Sequence, residues 1–371
     1  MKRKLAIIGA SYLQLPLVKK AKELGLYSLC FAWADGAVCQ NEADEFYPIS
    51  VVEKDQILSI CREKRIDGIC TIASDVAAPT VAYVAEKMGL VGNSYEVASR
   101  ANNKYMMRLD LSAAGLPCPA FQKINSCNQL DSNKLLFPVI VKPTDRSGSL
   151  GVTKVDCLEE LEGAVKTALN CSFAHEAVVE EFIEGREISV EFISYKGCHY
   201  PLQITDKVTT GAPHFVELEH HQPADLTQQH YEEIYDLTRK ALVALGVTNG
   251  ASHAEYKITA DGGIYVMEIG ARMGGDFIGS DLVRLSTGYD FLKGVIEVAL
   301  GDFHMPIFGQ PHYAGVYFLC KETDRLLSMF KAPDNPTVVH AEITDAELRN
   351  VTCSADRSGY LIYQSQNKLE L

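Results

Sequence analysis

"ASHAEYKITADGGIYVMEIGARMGG", residues 251–275, reads as two strand-like runs around the dipeptide Asp261-Gly262. Asp-Gly between such runs is the preference of a two-residue type I′ hairpin. If Ala260 pairs with Gly263, Glu255 falls opposite Glu268 on one face of the ladder. Like charges so placed repel, and a cation between them relieves the repulsion. Hard divalent ions take one or two carboxylates and complete their shell with water and phosphate oxygens, so the pair is expected to hold magnesium. Beyond Glu268 the strand breaks into Gly270, Arg272, Gly274 and Gly275. The glycines permit close backbone approach, and Arg272 brings a permanent cation to the same end.

Upstream lies "VIVKPTDRSGSLGVTKV", residues 139–155, where Lys142 ends an apolar strand and a loop from Asp145 to Gly151 runs into another. Ser147, Gly148, Ser149 and Gly151 offer the hydroxyl and backbone N–H donors that a polyanion needs. Strands flank the loop and G-x-x-x-x-G-K-[ST] is missing, so it reads as a flap on a hairpin rather than a P-loop. In "VVEEFIEGREISVE", residues 178–191, two strand-like segments meet at Gly185 among several acids. That is either a charged hairpin end or a connector whose backbone meets a base edge and whose carboxylate takes ribose hydroxyls.

Ahead of these segments, residues 4–91 alternate strand-like and helix-like stretches, the pattern of a Rossmann-like parallel sheet covered by helices. Its first turn, Gly9-Ala10-Ser11-Tyr12-Leu13-Gln14, lacks two of the three glycines of a dinucleotide fingerprint, which argues against a nicotinamide oxidoreductase. One helix is expected over about 95–114, an α+β unit over 138–220, an amphipathic helix over 225–245 and further helices over 278–300. The tail from 311 has short strand-like runs and no obvious chemistry.

The chain has 371 residues, long enough for two or three domains, with 35 Lys plus Arg against 48 Asp plus Glu, a net charge of −13. Such an acidic chain with no basic block is not built to bind nucleic acid or an anionic membrane, so a phosphate ligand must be held locally. The 11 cysteines are odd in number and form no C-x-x-C pair, which suits a reducing cytoplasm. "MKRKLAIIGASY" reads as a first strand rather than a signal peptide, and no window approaches the roughly 20 apolar residues of a membrane span.

In order and spacing these segments resemble the ATP-grasp superfamily. The resemblance implies an α/β and α+β protein, in which residues 1–95 form a Rossmann-like domain, 96–300 a two-lobed ATP-grasp domain with its flap-bearing lobe at about 120–195, and 301–371 a C-terminal extension. It implies ATP binding by Lys104 in "NNKYMM", by Lys142 and by the flap Ser147–Gly151. Glu180, Glu181, Phe182 and Ile183 become the adenine connector and Glu187 the ribose acid; Glu255 and Glu268 bind magnesium, and Arg272 stabilises the reacting centre. Many members carry Asn two residues after the second metal acid, where this chain has Gly270, which puts a second magnesium in question.

"EIGARMGG" is most similar to the branch of the L-amino-acid ligases and carbamoyl-phosphate-synthase-like proteins. There a Glu and a His three residues apart contact the amino-acid substrate. In "FVELEHHQPA" these are Glu217 and His220, with Glu219 or His221 as alternatives, and Lys207, Gly274 and Gly275 complete the implied substrate site. The implied activity is an ATP-dependent carboxylate–amine ligase that forms an amide or peptide bond through an acylphosphate, releasing ADP and phosphate. Its partners would be small carboxylates and amines, amino acids foremost, and at most a second copy of the chain as a homodimer. A non-catalytic ATP-binding or scaffold protein, or a carboxylase-type or carbamoyl-phosphate-type enzyme, are the alternatives.

Overall fold

The computed structural model describes residues 2–126, 136–331 and 335–369. Within the expected flap-bearing lobe, residues 127–135 lie outside the described residues.

A parallel sheet opens the chain. Strands β1 (Lys4–Ile8), β2 (Tyr27–Phe31), β3 (Glu45–Tyr47) and β4 (Gly68–Cys70) stand in the order β3-β2-β1-β4. Apolar residues run without alternation through "KLAII" because helices cover both faces of the sheet. On one face α2 (Lys54–Lys64) and α3 (Ala78–Met88) bury Ile57, Leu58, Cys61, Val84 and Ala85 against Ala6, Ile8, Leu29 and Phe31. On the other, Leu17 and Val18 of α1 (Leu15–Glu23) meet Phe291, Val295 and Ile296. Those last three residues lie far along the chain, so the layer is sealed by a helix from much later in the sequence.

The stretch expected as one helix over 95–114 is two, α4 (Tyr95–Asn102) and α5 (Lys104–Ala113). Asn103 breaks it: its backbone is extended and its side chain accepts from the N–H of Met106, an N-cap that starts a new helix. The N–H of Lys104 donates instead to Thr144 O at 2.8 Å, which plants the lysine beside the sheet that follows.

A four-stranded antiparallel sheet follows, β5 (Phe121–Ile124), β6 (Val139–Pro143), β7 (Thr153–Val155) and β8 (Ala177–Glu181), in the order β5-β8-β6-β7. Helix α6 (Leu158–Cys171) covers one face through Leu161, Ala164, Val165 and Ala168. The flap joins β6 to β7. Gly151 has φ 73°, and a Cβ there would lie 2.9 Å from Cys171 Cβ and 3.0 Å from Pro143, so only glycine closes the flap onto its sheet.

The larger sheet has β9 (Arg186–Tyr195), β10 (Cys198–Thr209), β11 (Glu217–Gln222), β12 (Gly250–Ile258) and β13 (Ile264–Gly270). It continues past residue 300 through β14 (Tyr313–Leu319), β15 (Val338–Ile343) and β16 (Gly359–Ser365), in the order β13-β12-β9-β10-β11-β14-β16-β15. Helix α7 (Gln228–Ala244) packs Ile234, Leu237, Ala241 and Leu242 on Val190, Phe192 and Ile204. After β13 come α8 (Val283–Thr287) and α9 (Phe291–Leu300), the helix that seals the parallel layer. Among the described residues no helix is long and apolar enough to cross a membrane.

Candidate active site

The hairpin brings its two acids together by a route other than the expected one. Asp261 does not adopt positive φ, so the turn is not type I′. Gly262 alone takes φ 87°, closing a turn in which its N–H meets Thr259 O at 2.9 Å while the N–H of Thr259 meets Gly263 O at 2.9 Å. Ile258 then pairs with Ile264 and Tyr256 with Val266, a register that continued unchanged would set Glu255 opposite Met267. A β-bulge at this point admits Met267 as an extra residue and restores Glu255 opposite Glu268. Because two residues now oppose one, Met267 and Glu268 both line the same cleft.

That cleft, about 420 Å³, lies between the small sheet, the large sheet and the loops of the parallel layer. Lys104, Lys142, Ser147, Gly148, Ser149, Glu180, Phe182, Ile183 and Glu187 line it, as do Lys207, Glu217, His220, Glu255, Glu268, Arg272 and Gly275. Gly151 and Glu181 are not among its walls, and Glu181 turns to the N–H of Ala120 at 3.3 Å. Gly274 faces the protein: its N–H donates to Glu191 Oε2 at 3.0 Å, and a Cβ would lie 2.6 Å from Glu191 Oε1.

Each carboxylate of the facing pair already has a lysine. Lys207 Nζ lies 2.5 Å from Glu255 and Lys104 Nζ lies 2.9 Å from Glu268, so repulsion between the acids does not by itself demand a metal. Burial pushes the Glu255 carboxyl up, but Lys207 and His253 outweigh it and hold the carboxyl well below the usual range. Burial likewise works against the charge on Lys104, and Glu268 beside it more than compensates, leaving its pKa raised. Among the described residues no group of three or more His, Cys, Asp or Glu could hold a metal ion. The two acids, side chains about a third exposed, are nevertheless hard oxygen donors open to one cleft. They fit a magnesium ion whose remaining ligands arrive with a polyphosphate, which also brings the negative charge to balance both lysines.

Lys142 stands in a buried triad. Its Nζ lies 2.8 Å from Glu180 Oε2, and Arg108 Nε lies 2.9 Å from Glu180 Oε1, with Arg108 and Glu180 essentially inaccessible to solvent. Burial would raise the Glu180 carboxyl, yet Arg108 and Lys142 bring it down to about 2. For Lys142 burial prevails over Glu180, and its pKa falls below the ordinary value. The Glu180 side chain thus fixes Lys142, while the neighbouring Phe182 and Ile183 give the cleft an apolar wall; Lys154 Nζ sits 5.0 Å from the Phe182 ring centre. Glu187 pairs with Lys257 at 2.8 Å.

At the other end, Glu217 and His220 share the cleft although three residues along a regular strand point to opposite faces. A second bulge, between Val208 and Thr209 against β11, inserts Leu218 and brings both side chains round. Burial, then the charges of Lys207 and Arg357, hold His220 well below the usual histidine pKa, so its ring is neutral. Burial and, with the opposite sign to Lys207, nearby Asp276 raise the Glu217 carboxyl. The alternatives turn away: His221 reaches Tyr363 at 2.9 Å and Glu219 at 3.0 Å.

Several residues escaped sequence reading. Arg357, in the tail, braces Glu217 at 3.1 Å and Asp276 at 2.7 Å. Asp75, from the parallel layer, takes Arg272 in a two-pronged ion pair at 2.7 and 2.8 Å. Buried His253 lies 2.5 Å from Glu191 and 3.3 Å from Glu255, and burial notwithstanding, Glu191 raises its pKa. His253 sits two residues before Glu255 on one strand, a period-2 signal that was available. The others come from segments with no local mark of function. The dinucleotide reading also meets a physical obstacle: Gln14 Oε1 accepts from the Ser11 N–H at 3.1 Å and hydroxyl at 2.8 Å, filling the turn.

Residues 135–281 match a family model described as an ATP-grasp domain. Alanine–anticapsin ligase of Bacillus subtilis is 26% identical over 245 residues, covering 60% of this chain and 51% of its own length. The chain spans about half the length of the curated ligases it matches. The crystal structure of L-amino acid ligase from Bacillus licheniformis superposes with a TM-score of 0.83 at 26% identity, over 99% of this chain and 94% of that one. Phosphoribosylglycinamide synthetase from Anaerococcus prevotii, 21% identical with a TM-score of 0.78 over 99% and 95% of the two chains, has the same fold. With a parallel layer, a flap-bearing sheet and a large antiparallel sheet closing on one cleft, this chain shares the fold of that L-amino acid ligase, and its residues 135–281 are those of an ATP-grasp domain.

Proposed function

We propose that the protein is an ATP-dependent carboxylate–amine ligase acting on amino acids. A carboxylate oxygen of the first substrate attacks the γ-phosphorus of ATP, ADP leaves, and an acylphosphate forms. The amine of the second attacks the carbonyl carbon, loses a proton and expels phosphate, giving an amide or peptide bond. The reading rests on one observation: two buried lysines, two facing carboxylates and an arginine converge on a single cleft, each brought there by a different element.

Phosphoryl transfer needs positioning and charge neutralisation more than a nucleophilic side chain. Lys104 and Lys142 would meet the phosphates from below and Ser147, Gly148 and Ser149 from above. Phe182 and Ile183 would face the base and Glu187 the ribose. Glu255 and Glu268 would hold magnesium, which when bound neutralises phosphoryl oxygens. Arg272 would meet the charge that gathers on the transferring phosphoryl group and on the tetrahedral adduct. Glu217, an acid, suits a substrate ammonium, and neutral His220 can donate to a carboxylate. The similarity to alanine–anticapsin ligase and to L-amino acid ligase supports amino acids as the substrate class.

The test is ADP release with ATP and magnesium, screened over pairs of amino acids. Pair-dependent ADP release supports the reading; release indifferent to any added amino acid or small carboxylate refutes it.

A further inference from the structure

We propose that Asp75, on the loop after β4 of the parallel layer, is a positioning residue for Arg272, so that the parallel layer orients a side chain carried by the large sheet. The inference rests on the role given to Arg272 above.

Three independent features carry it. The Asp75 carboxylate takes the guanidinium edge-on, Nε to Oδ1 at 2.7 Å and Nη2 to Oδ2 at 2.8 Å, while Nη1 donates to Met273 O at 3.2 Å. A guanidinium has five N–H donors, so this grip fixes its plane yet leaves an N–H on each terminal nitrogen for the cleft that Arg272 lines. Both side chains are buried to about the same depth, 13% and 15% exposed, where a two-pronged pair is screened little by solvent.

Position 270 is cut to fit that carboxylate. A Cβ on Gly270 would lie 2.7 Å from Asp75 Oδ1, closer than real Cβ atoms come to anything, and Gly270 has no positive φ that would ask for glycine on conformational grounds. The missing side chain leaves the space that Asp75 enters.

The loops are also locked together. Ile72 pairs with Met273 in a parallel bridge, Ala73 N donates to Met273 O at 3.0 Å, and Gln14 Nε2 holds Ile72 O at 2.8 Å. Ala73 sits at φ 56°, a conformation an L residue keeps only where its surroundings impose it. Ion pair, glycine and strained loop all serve one end, the orientation of Arg272.

A double-mutant cycle tests this with the amino-acid pair that the wild-type protein turns over. Asp75→Asn should lower kcat about tenfold or more while the ATP Michaelis constant stays within about twofold. Because Asp75 acts through Arg272, the double variant Asp75→Asn/Arg272→Ala should be no slower than Arg272→Ala alone. Gly270→Ala, whose Cβ would lie 2.7 Å from Asp75 Oδ1 and 3.2 Å from Arg272 Nε, should cost as much as Asp75→Asn and cost nothing further in an Arg272→Ala background. That glycine variant carries the test should Asp75→Asn fail to fold, as judged by circular dichroism. Losses that multiply in the double variant, or wild-type kcat in Asp75→Asn or Gly270→Ala, would overturn the positioning role alone. Wild-type turnover in Arg272→Ala would instead overturn the role given to Arg272, and this one with it.

Discussion

Glu255 and Glu268 face one another across a hairpin whose turn sets a different register, and the one-residue bulge at Met267 makes up the difference. Since Lys207 and Lys104 neutralise the two acids, a bare divalent cation gains little by entering between them. Magnesium alone should therefore leave the thermal unfolding midpoint nearly unchanged, and magnesium with ATP should raise it more than ATP does. Glu255→Gln or Glu268→Gln should abolish that added rise and the metal-dependent turnover while circular dichroism stays native. A full shift with magnesium alone would mean that the protein holds the metal by itself.

Arg108 is the hidden support of Lys142, acting through Glu180. Arg108→Met would leave Glu180 buried with Lys142 as its one cation, and loss of one partner from a buried pair typically costs ~3–5 kcal/mol. Urea unfolding should show that loss, and a cost under ~1 kcal/mol would mean that Glu180 is not held as described. Acid should act through the same group. The folded pKa of Glu180, about 2, is below the ~4.3 of an unfolded glutamate, so its contribution is complete above ~4.3 and is lost as pH falls toward 2. In Glu180→Gln this part of the acid transition should vanish.

Arg272→Ala should keep ATP affinity within a few-fold while turnover falls by ~10²–10³, the usual cost of one donor at a developing charge. Arg272→Lys should recover only part, because an ammonium cannot match the two-pronged hold of Asp75. Steady-state kinetics of the three proteins decides; equal activity in the lysine variant would remove the need for a planar fork.

At the Glu217 end of the cleft, burial keeps His220 neutral and Arg357 braces both Glu217 and Asp276. Glu217→Gln and His220→Ala should each raise the Michaelis constant of an amino-acid substrate about tenfold or more with that of ATP unchanged. Arg357→Met should act in the same direction. Unchanged substrate constants in all three would move the amino-acid pocket elsewhere.

How much of this was legible follows from where each signal sits. Lys104, Lys142, the flap, Glu255, Glu268 and Arg272 fall within short stretches whose residue order carries the pattern, and they do line one cleft. The facing acids were legible although the turn was misread: type I′ geometry and a three-residue loop with a bulge happen to give the same pair. The split between α4 and α5 was hidden because Asn103 caps the second helix in mid-pattern, and the carbonyl of Thr144 that takes the next N–H comes from a distant segment. Asp75, Arg108, Glu191 and Arg357 have partners tens to hundreds of residues away, and their own neighbourhoods are ordinary strand ends, helix turns and tail. Contacts of that kind are set by tertiary packing, which local spacing does not encode.

The central claim, transfer of a phosphoryl group to a substrate carboxylate, is tested most directly by following oxygen. The protein is incubated with ATP, magnesium and amino acids labelled with oxygen-18 in the carboxylate, and the products are resolved by phosphorus NMR. An acylphosphate route predicts ADP and inorganic phosphate, with one labelled oxygen carried into the phosphate. AMP and pyrophosphate with the label in AMP, or ADP with unlabelled phosphate, would contradict it.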